Sequence, residues 1–139
     1  MNATSHTRSE ADILLVEDSM IDVRLATEAL TASRVPHRLH VARNGDDAMA
    51  FLRREEPFAG APRPALILLD LNLPRKDGRE VLAEIKGDDR LAMIPVCVLT
   101  CSTDEHDIRD VYRLGANCCI TKSMDAGQFI KKVQHASDF

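Results

Sequence analysis

The sequence lacks the features that mark secreted, membrane-spanning or nucleic-acid-binding proteins. No apolar stretch approaches the length needed to span a bilayer. Residues 1–10 contain no hydrophobic segment of the kind found in secretory signals, and we expect them to form a flexible tail on a cytoplasmic protein. With 18 Lys and Arg against 22 Asp and Glu, the net charge of -4 argues against nucleic acid as a partner.

The cysteine and glycine patterns argue against two kinds of binding site. The four cysteines include no Cys-x-x-Cys pair, so a zinc site is not expected. We predict small buried thiols in a reducing compartment, with Cys101 at the mouth of any site near its strand. No glycine-rich phosphate loop follows the first apolar run, which argues against a nucleotide-binding module of that type.

What the sequence does contain is a regular alternation of strand-like and helix-like segments. Its 139 residues, 45% of them hydrophobic, suffice for one domain, which we place at residues 11–139. Five strand–helix units predict a parallel sheet with helices on both faces, an α/β fold with the flavodoxin-like order 2-1-3-4-5. The polar–apolar alternation of residues 38–42 places that strand at an edge.

The helix patterns lead to more detailed expectations. Ile21, Leu25 and Ala29 recur at i, i+4 spacing, which predicts the inner face of the first helix, and Val23, Ala26 and Leu30 widen that apolar face. Asp77 is placed to cap the third helix. The cap of the fourth helix is either Thr103 or Asp104.

Polar side chains end four of the predicted strands. The carboxyl ends of parallel strands meet at one edge of the sheet, where ligands bind at the point of reversal in strand order. Asp18 and Asp70 would therefore end neighbouring strands, roughly 5 Å apart. The full set at this edge is Glu17, Asp18, Asp70, Thr100 and Lys122.

These residue types suit phosphoryl chemistry. The crowded acids would raise one another's pKa unless a hard divalent cation, Mg²⁺ or Mn²⁺, neutralised them. The backbone carbonyl of Asn72 is a further candidate ligand. With Lys122 and Thr100 opposite the acids, a phosphoryl group would be surrounded, and Asp70 is the candidate nucleophile for an acyl phosphate.

The motifs, in this order, resemble the receiver domain of two-component response regulators over residues 11–138. The resemblance implies that Asp70 accepts phosphate from a phosphohistidine on a sensor histidine kinase, in a reaction that the receiver itself catalyses. It also implies that Asp18 binds the metal directly, Glu17 mainly through water, and Asn72 through its carbonyl. The matching motifs are Glu17-Asp18, Asp70, Leu73-Pro74, Asp77-Gly78, Thr100 and Lys122.

A narrower resemblance is to the single-domain regulators that accompany bacterial phytochrome-type histidine kinases. It rests on three features: the amino-acid sequence of residues 73–86, the long loop before residue 65, and the sequence Thr121-Lys-Ser123. It implies output through protein contacts or onward phosphotransfer to a downstream protein. The surface formed by the fourth helix, last strand and last helix, about residues 104–138, is where the family commonly binds partners or forms homodimers.

Two positions depart from the general family pattern. Cys119 occupies the position of a switch aromatic, and Tyr112 on the adjoining helix is the candidate substitute. Ser123 replaces a proline whose bond to the lysine is usually cis. Because a cis Lys122–Ser123 bond would cost about 3–4 kcal/mol, this loop is expected to run differently.

Two alternative functions stay open at this stage. One is a degenerate receiver that acts as a scaffold without phosphorylation. The other is a Mg²⁺-dependent phosphatase of the haloacid dehalogenase type, which needs a second aspartate two residues after the nucleophile. Asn72 stands at that position and cannot donate a proton in that role.

Overall fold

The fold is an alternation of five strands and five helices. The computed structural model describes residues 10–33, 36–101, 104–122 and 125–136. Within these ranges no helix is long and apolar enough to cross a membrane. The elements are β1 (Ala11–Val16), α1 (Met20–Ala32), β2 (His37–Ala42), α2 (Gly45–Arg53), β3 (Leu66–Asp70), α3 (Gly78–Gly87), β4 (Val96–Thr100), α4 (Glu105–Arg113), β5 (Cys118–Thr121) and α5 (Ala126–Ala136).

All five strands join one parallel sheet in the order β2-β1-β3-β4-β5, which confirms the predicted flavodoxin-like topology. The order reverses between β1 and β3, where Val16 pairs with Leu69. At the same edge Asp70 pairs with Leu99, and Thr100 pairs with Thr121. The carboxyl ends of β1, β3, β4 and β5 are therefore neighbours.

The sheet separates two apolar clusters, because successive side chains of a strand point to opposite faces. Ile67 and Leu69 lie in one cluster with the inner faces of α2 and α3. Leu66 and Leu68 lie in the other, with α1 and α5. Every residue of β3 is buried, as expected for a central strand, whereas β2 is partly exposed at the edge.

The predicted inner face of α1 is partly wrong. Ala29 is buried, but Ile21 is 74% exposed and Leu25 is 58% exposed. A helix advances about 100° per residue, so an i, i+4 series drifts by about 40° at each step. The buried side of α1 is formed by Ala26, Ala29 and Leu30, which all belong to the predicted face.

The helix caps agree with the predictions. The Asp77 carboxylate accepts a hydrogen bond from the Arg79 N–H at 3.1 Å at the start of α3. Asp104 caps α4 and accepts from the His106 N–H at 2.8 Å. Of the two candidate caps for α4, Asp104 is thus the one observed, and Thr103 lies outside the described residues.

The central strand is expected to dominate stability. Leu68 is fully buried between β1 and β4, so Leu68→Ala should lower the free energy of unfolding by about 2–5 kcal/mol. The same substitution at the exposed Leu25 should change it by less than about 0.5 kcal/mol. Urea denaturation followed by circular dichroism measures both. Equal losses for the two variants would contradict this account of the core.

Candidate functional site

The structure brings four of the predicted site residues to one edge of the sheet. Glu17 directly follows β1, Asp70 and Thr100 end β3 and β4, and Lys122 directly follows β5. Glu17, Asp70 and Thr100 are almost completely buried, with exposed fractions of 1%, 3% and 5%. Two carboxylates, a hydroxyl and an ammonium therefore share an environment with little access to water.

Lys122 forms the electrostatic centre of this group. Its Nζ lies 3.0 Å from Glu17 Oε1 and 3.4 Å from Asp70 Oδ1. It also donates a hydrogen bond to Asp22 Oδ2 at 2.7 Å. One ammonium thus contacts three carboxylates, which offsets their mutual repulsion and the cost of removing them from water.

Asp22 was not among the predicted site residues. It lies in the first turn of α1, which begins just after the acidic end of β1. Its position in the sequence could have indicated this role, because the first turn of a helix that follows a strand lies at the same edge of the sheet as the strand's carboxyl end. An acid in that turn could have been included with Glu17 and Asp18 on this ground.

Backbone contacts fix Asp70 and Lys122 in position. The Lys122 N–H donates to the Thr100 carbonyl at 2.8 Å, which extends the β4–β5 pairing by one residue. The Asn72 N–H donates to Asp70 Oδ1 at 3.3 Å. Both side chains therefore extend from the ends of rigid strands.

Gly78 allows α3 to begin directly against the strand end that carries Asp70. A Cβ atom at this position would lie 2.4 Å from the Asp70 carbonyl oxygen and 2.5 Å from the Leu71 Cα. These are backbone atoms, so a side chain there would displace the segment that positions Asp70. The Asp77-Gly78 pair noted in the sequence thus has a steric reason.

Burial and charge shift the pKa values of two site residues in the same direction. Burial raises the pKa of Glu17, and the nearby Asp70 carboxylate adds to this, against the attraction of the Lys122 ammonium and a hydrogen bond from the Ser19 N–H. Burial alone would lower the pKa of Lys122, but its carboxylate neighbours outweigh that and raise it. The lysine therefore stays charged, while the charged form of Glu17 is disfavoured.

The donor set fits a hard divalent cation in its chemistry. Glu17 Oε1 is buried and accepts no hydrogen bond with proper geometry from the described residues, although Lys122 Nζ is near. Asp18 is exposed, and among the residues described no group of three acidic, histidine or cysteine side chains is arranged to hold a metal ion. Lys122, rather than a complete ligand shell, neutralises the acids in this arrangement.

Comparison with known proteins identifies the family. Residues 13–134 match the response regulator receiver domain. The chain belongs to this family. Receivers are signalling proteins, so the haloacid dehalogenase alternative finds no support.

Individual relatives cover almost the whole receiver. Response regulator Rcp1 from Synechocystis sp. is 52% identical over 127 residues, 91% of this chain and 86% of that protein. The crystal structure of the phosphorylated cyanobacterial phytochrome response regulator RcpA matches with 54% identity and a TM-score of 0.81 over 91% of each chain. The Mn²⁺-bound form of Rcp1 matches with 52% identity and a TM-score of 0.80 over 90% of each chain.

In this receiver the side chain of Tyr112 contacts the backbone of Cys119. The Cys119 side chain is buried in the cluster that contains Val111 of α4. The Cys119 N–H donates to the Tyr112 hydroxyl at 3.1 Å. Tyr112 is 45% exposed, so its phenol connects β5 to the outer surface of α4. The expectation that the loop after Lys122 runs differently from the family pattern concerns Ser123, which lies outside the described residues.

The remaining cysteines agree with the expectation in part. Cys97, Cys118 and Cys119 are buried thiols without a disulfide, and Cys118 and Cys119 lie in opposite clusters. Cys101 is exposed, so the general expectation of buried thiols fails for this residue, whereas its expected place at a mouth beside Thr100 agrees with exposure. The reason is that β4 ends at Thr100, and the chain leaves the sheet at the next residue.

The raised pKa of Glu17 gives a pH-dependent prediction. Because its pKa is higher in the folded than in the unfolded state, stability falls as the pH rises from the unfolded towards the folded pKa, and the full cost of ionising Glu17 is present above the folded pKa. In metal-free buffer near neutral pH, Glu17→Gln should therefore unfold at a higher temperature than the wild type. The difference should vanish as the pH falls below the ordinary value of 4.5.

Thermal unfolding across this pH range measures the effect. The exposed Glu105→Gln is the matched control and should follow the wild type throughout. A Glu17→Gln variant that is less stable than the wild type near neutral pH would show that the ion pair with Lys122 outweighs burial.

Proposed function

We propose that this receiver accepts a phosphoryl group on Asp70 from a sensor histidine kinase, in a reaction that depends on Mg²⁺ or Mn²⁺. The observation that carries the proposal is the placement of the Asp70 carboxylate. It is 3% exposed and lies 3.4 Å from the Lys122 ammonium, beside the strand that ends in Thr100. A purely structural carboxylate would not need these neighbours at an edge where ligands bind.

Each residue has a distinct role in the transfer. An Asp70 carboxylate oxygen attacks phosphorus and forms an acyl phosphate, while the bond from phosphorus to the donor nitrogen breaks. Lys122 offers its positive charge to the phosphoryl oxygens, and Thr100 offers a hydroxyl donor. Asp22 and Glu17 hold the lysine in place, so little reorganisation is required when the phosphoryl group arrives.

A divalent cation would be held by oxygen ligands at this edge. The candidates are Glu17, Asp18, Asp70 and the backbone carbonyl of Asn72. When bound, the cation supplies positive charge that neutralises both the carboxylates and the phosphoryl oxygens. The Mn²⁺-bound structure of Rcp1 supports this assignment by family likeness.

The kinase is proposed to be of the phytochrome type. Support comes from RcpA, which is named as a phytochrome response regulator and has 54% sequence identity to this chain. We place the receiver domain at residues 11–139 and the signalling event in the cytoplasm. Output would pass to a downstream protein by contact or onward phosphotransfer, and α4, β5 and α5 form the surface proposed for such contacts or for a homodimer.

The proposal predicts one phosphoryl adduct after incubation with acetyl phosphate and Mg²⁺. Intact mass spectrometry should detect it in the wild type, and it should be absent with EDTA and in Asp70→Asn. The exposed Asp89→Asn is a matched control that should be labelled like the wild type. A purified phytochrome-type kinase should then label the same residue.

Two results would contradict the proposal. Labelling of Asp70→Asn at the wild-type rate would show that another residue is the acceptor. A wild type that is labelled neither by acetyl phosphate nor by the kinase would favour the scaffold alternative.

A further inference from the structure

A second cavity lies at the opposite end of the sheet from Asp70. It has a volume of about 290 Å³ and is formed by the end of α2, the segment before β3 and the segment between α3 and β4. Because the strands are parallel, this is the end where β3 and β4 begin. Its charged lining consists of Arg53, Arg54, Arg63, Arg90 and Asp88.

The charge of this cavity is opposite to that of the chain as a whole. The protein carries a net charge of -4, yet four arginines and one aspartate line the cavity. Arg53 lies 3.4 Å from Glu84, and Arg90 lies 3.7 Å from Asp88. The other two arginines have no carboxylate within ion-pair distance among the described residues, so the cavity has an excess of positive charge.

The helix end explains only part of this cluster. Arg53 and Arg54 lie at the carboxyl end of α2, where positive charge favours the helix dipole. Arg63 and Arg90 come from two other segments, and neither belongs to a helix. The Arg63 guanidinium donates to the Arg90 carbonyl, which joins the two segments at the rim of the cavity. The arginines therefore converge through tertiary structure.

The rest of the lining is apolar. Leu52, Leu91 and Ile94 are buried residues with exposed fractions of 8%, 5% and 2%, and Pro64 is buried beside them. Guanidinium groups pair with phosphate through two parallel hydrogen bonds and also stack on planar rings. A cavity that combines such groups with an apolar wall suits a ligand with both a phosphate and a compact apolar part.

We propose that this cavity binds a small organic phosphate of the nucleotide class. Its phosphate groups would lie against Arg54 and Arg63, which the described carboxylates leave without an ion-pair partner. Its ring would lie against the wall formed by Leu52, Leu91 and Ile94. Since the cavity and Asp70 lie at opposite ends of the sheet, such binding is separate from phosphorylation.

The test is a titration of the full chain, followed by two-dimensional ¹H–¹⁵N NMR, with three probes. ADP carries both parts of the proposed ligand, pyrophosphate carries only the charge, and adenosine carries only the ring. ADP should produce saturable shifts at the amides of Arg54, Leu91 and Ile94 and bind more tightly than either other probe. Added salt should weaken the binding.

Two double variants distinguish specific binding in this cavity from non-specific electrostatic attraction of anions to the protein surface. The double variant Arg54→Gln/Arg63→Gln should bind ADP more weakly by about tenfold or more, because charge-assisted hydrogen bonds are lost. The matched control Arg109→Gln/Arg113→Gln, on α4, removes the same charge from exposed positions and should bind like the wild type. Both should still accept phosphate on Asp70.

Three outcomes would overturn the proposal. They are the absence of saturable shifts with any probe, equal weakening in the two double variants, and equal affinities for ADP and pyrophosphate. Equal affinities for ADP and pyrophosphate would indicate that the cavity binds an inorganic anion and does not recognise the organic part. None of them bears on phosphorylation, which the mass measurement tests separately.

Discussion

The contact of one ammonium with three carboxylates is the interaction on which the site depends. Glu17 and Asp70 are buried at the ends of neighbouring strands, where their charges repel and water cannot stabilise them. Lys122 lies within 3.4 Å of both, and it also binds Asp22. Removing the lysine would leave these buried carboxylates without compensation, which typically costs about 3–5 kcal/mol.

Sheet topology is what makes this contact possible. The site residues lie far apart in the sequence, from Glu17 to Lys122, and meet because their parallel strands end at one edge. The reversal of strand order between β1 and β3 leaves room there for a ligand. Close packing then holds the arrangement, since the start of α3 at Gly78 lies directly against the backbone of Asp70 and Leu71. The strand order and the close packing of α3 that define the fold therefore also position the residues of the site.

Much of this arrangement follows from local sequence patterns. The continuous apolar run that ends in Asp70 predicts both a central strand and the position of its carboxylate. The alternating residues 38–42 likewise predict the edge strand. These predictions succeed because burial on one or both faces determines the pattern of each strand. Asp77 was predictable as a cap because its role depends on the helix that directly follows it.

Other features depend on tertiary distances that a pattern does not contain. Ile21 and Leu25 have helical spacing, but the direction in which α1 packs leaves them exposed. The Tyr112 hydroxyl reaches Cys119 only because α4 packs across β5 in this orientation. The contact of Arg63 with the Arg90 carbonyl likewise requires two loops to meet at the far end of the sheet. None of these features produces a pattern among residues that are close together in the sequence.

The most direct test of the central role of Lys122 is its competition with a divalent cation. Mn²⁺ affinity can be measured by electron paramagnetic resonance for the wild type, Lys122→Gln and the exposed control Lys131→Gln. If the ammonium neutralises the carboxylates that a cation would bind, Lys122→Gln should bind Mn²⁺ about tenfold more tightly. The control should match the wild type. Unchanged or weaker binding by Lys122→Gln would contradict the account.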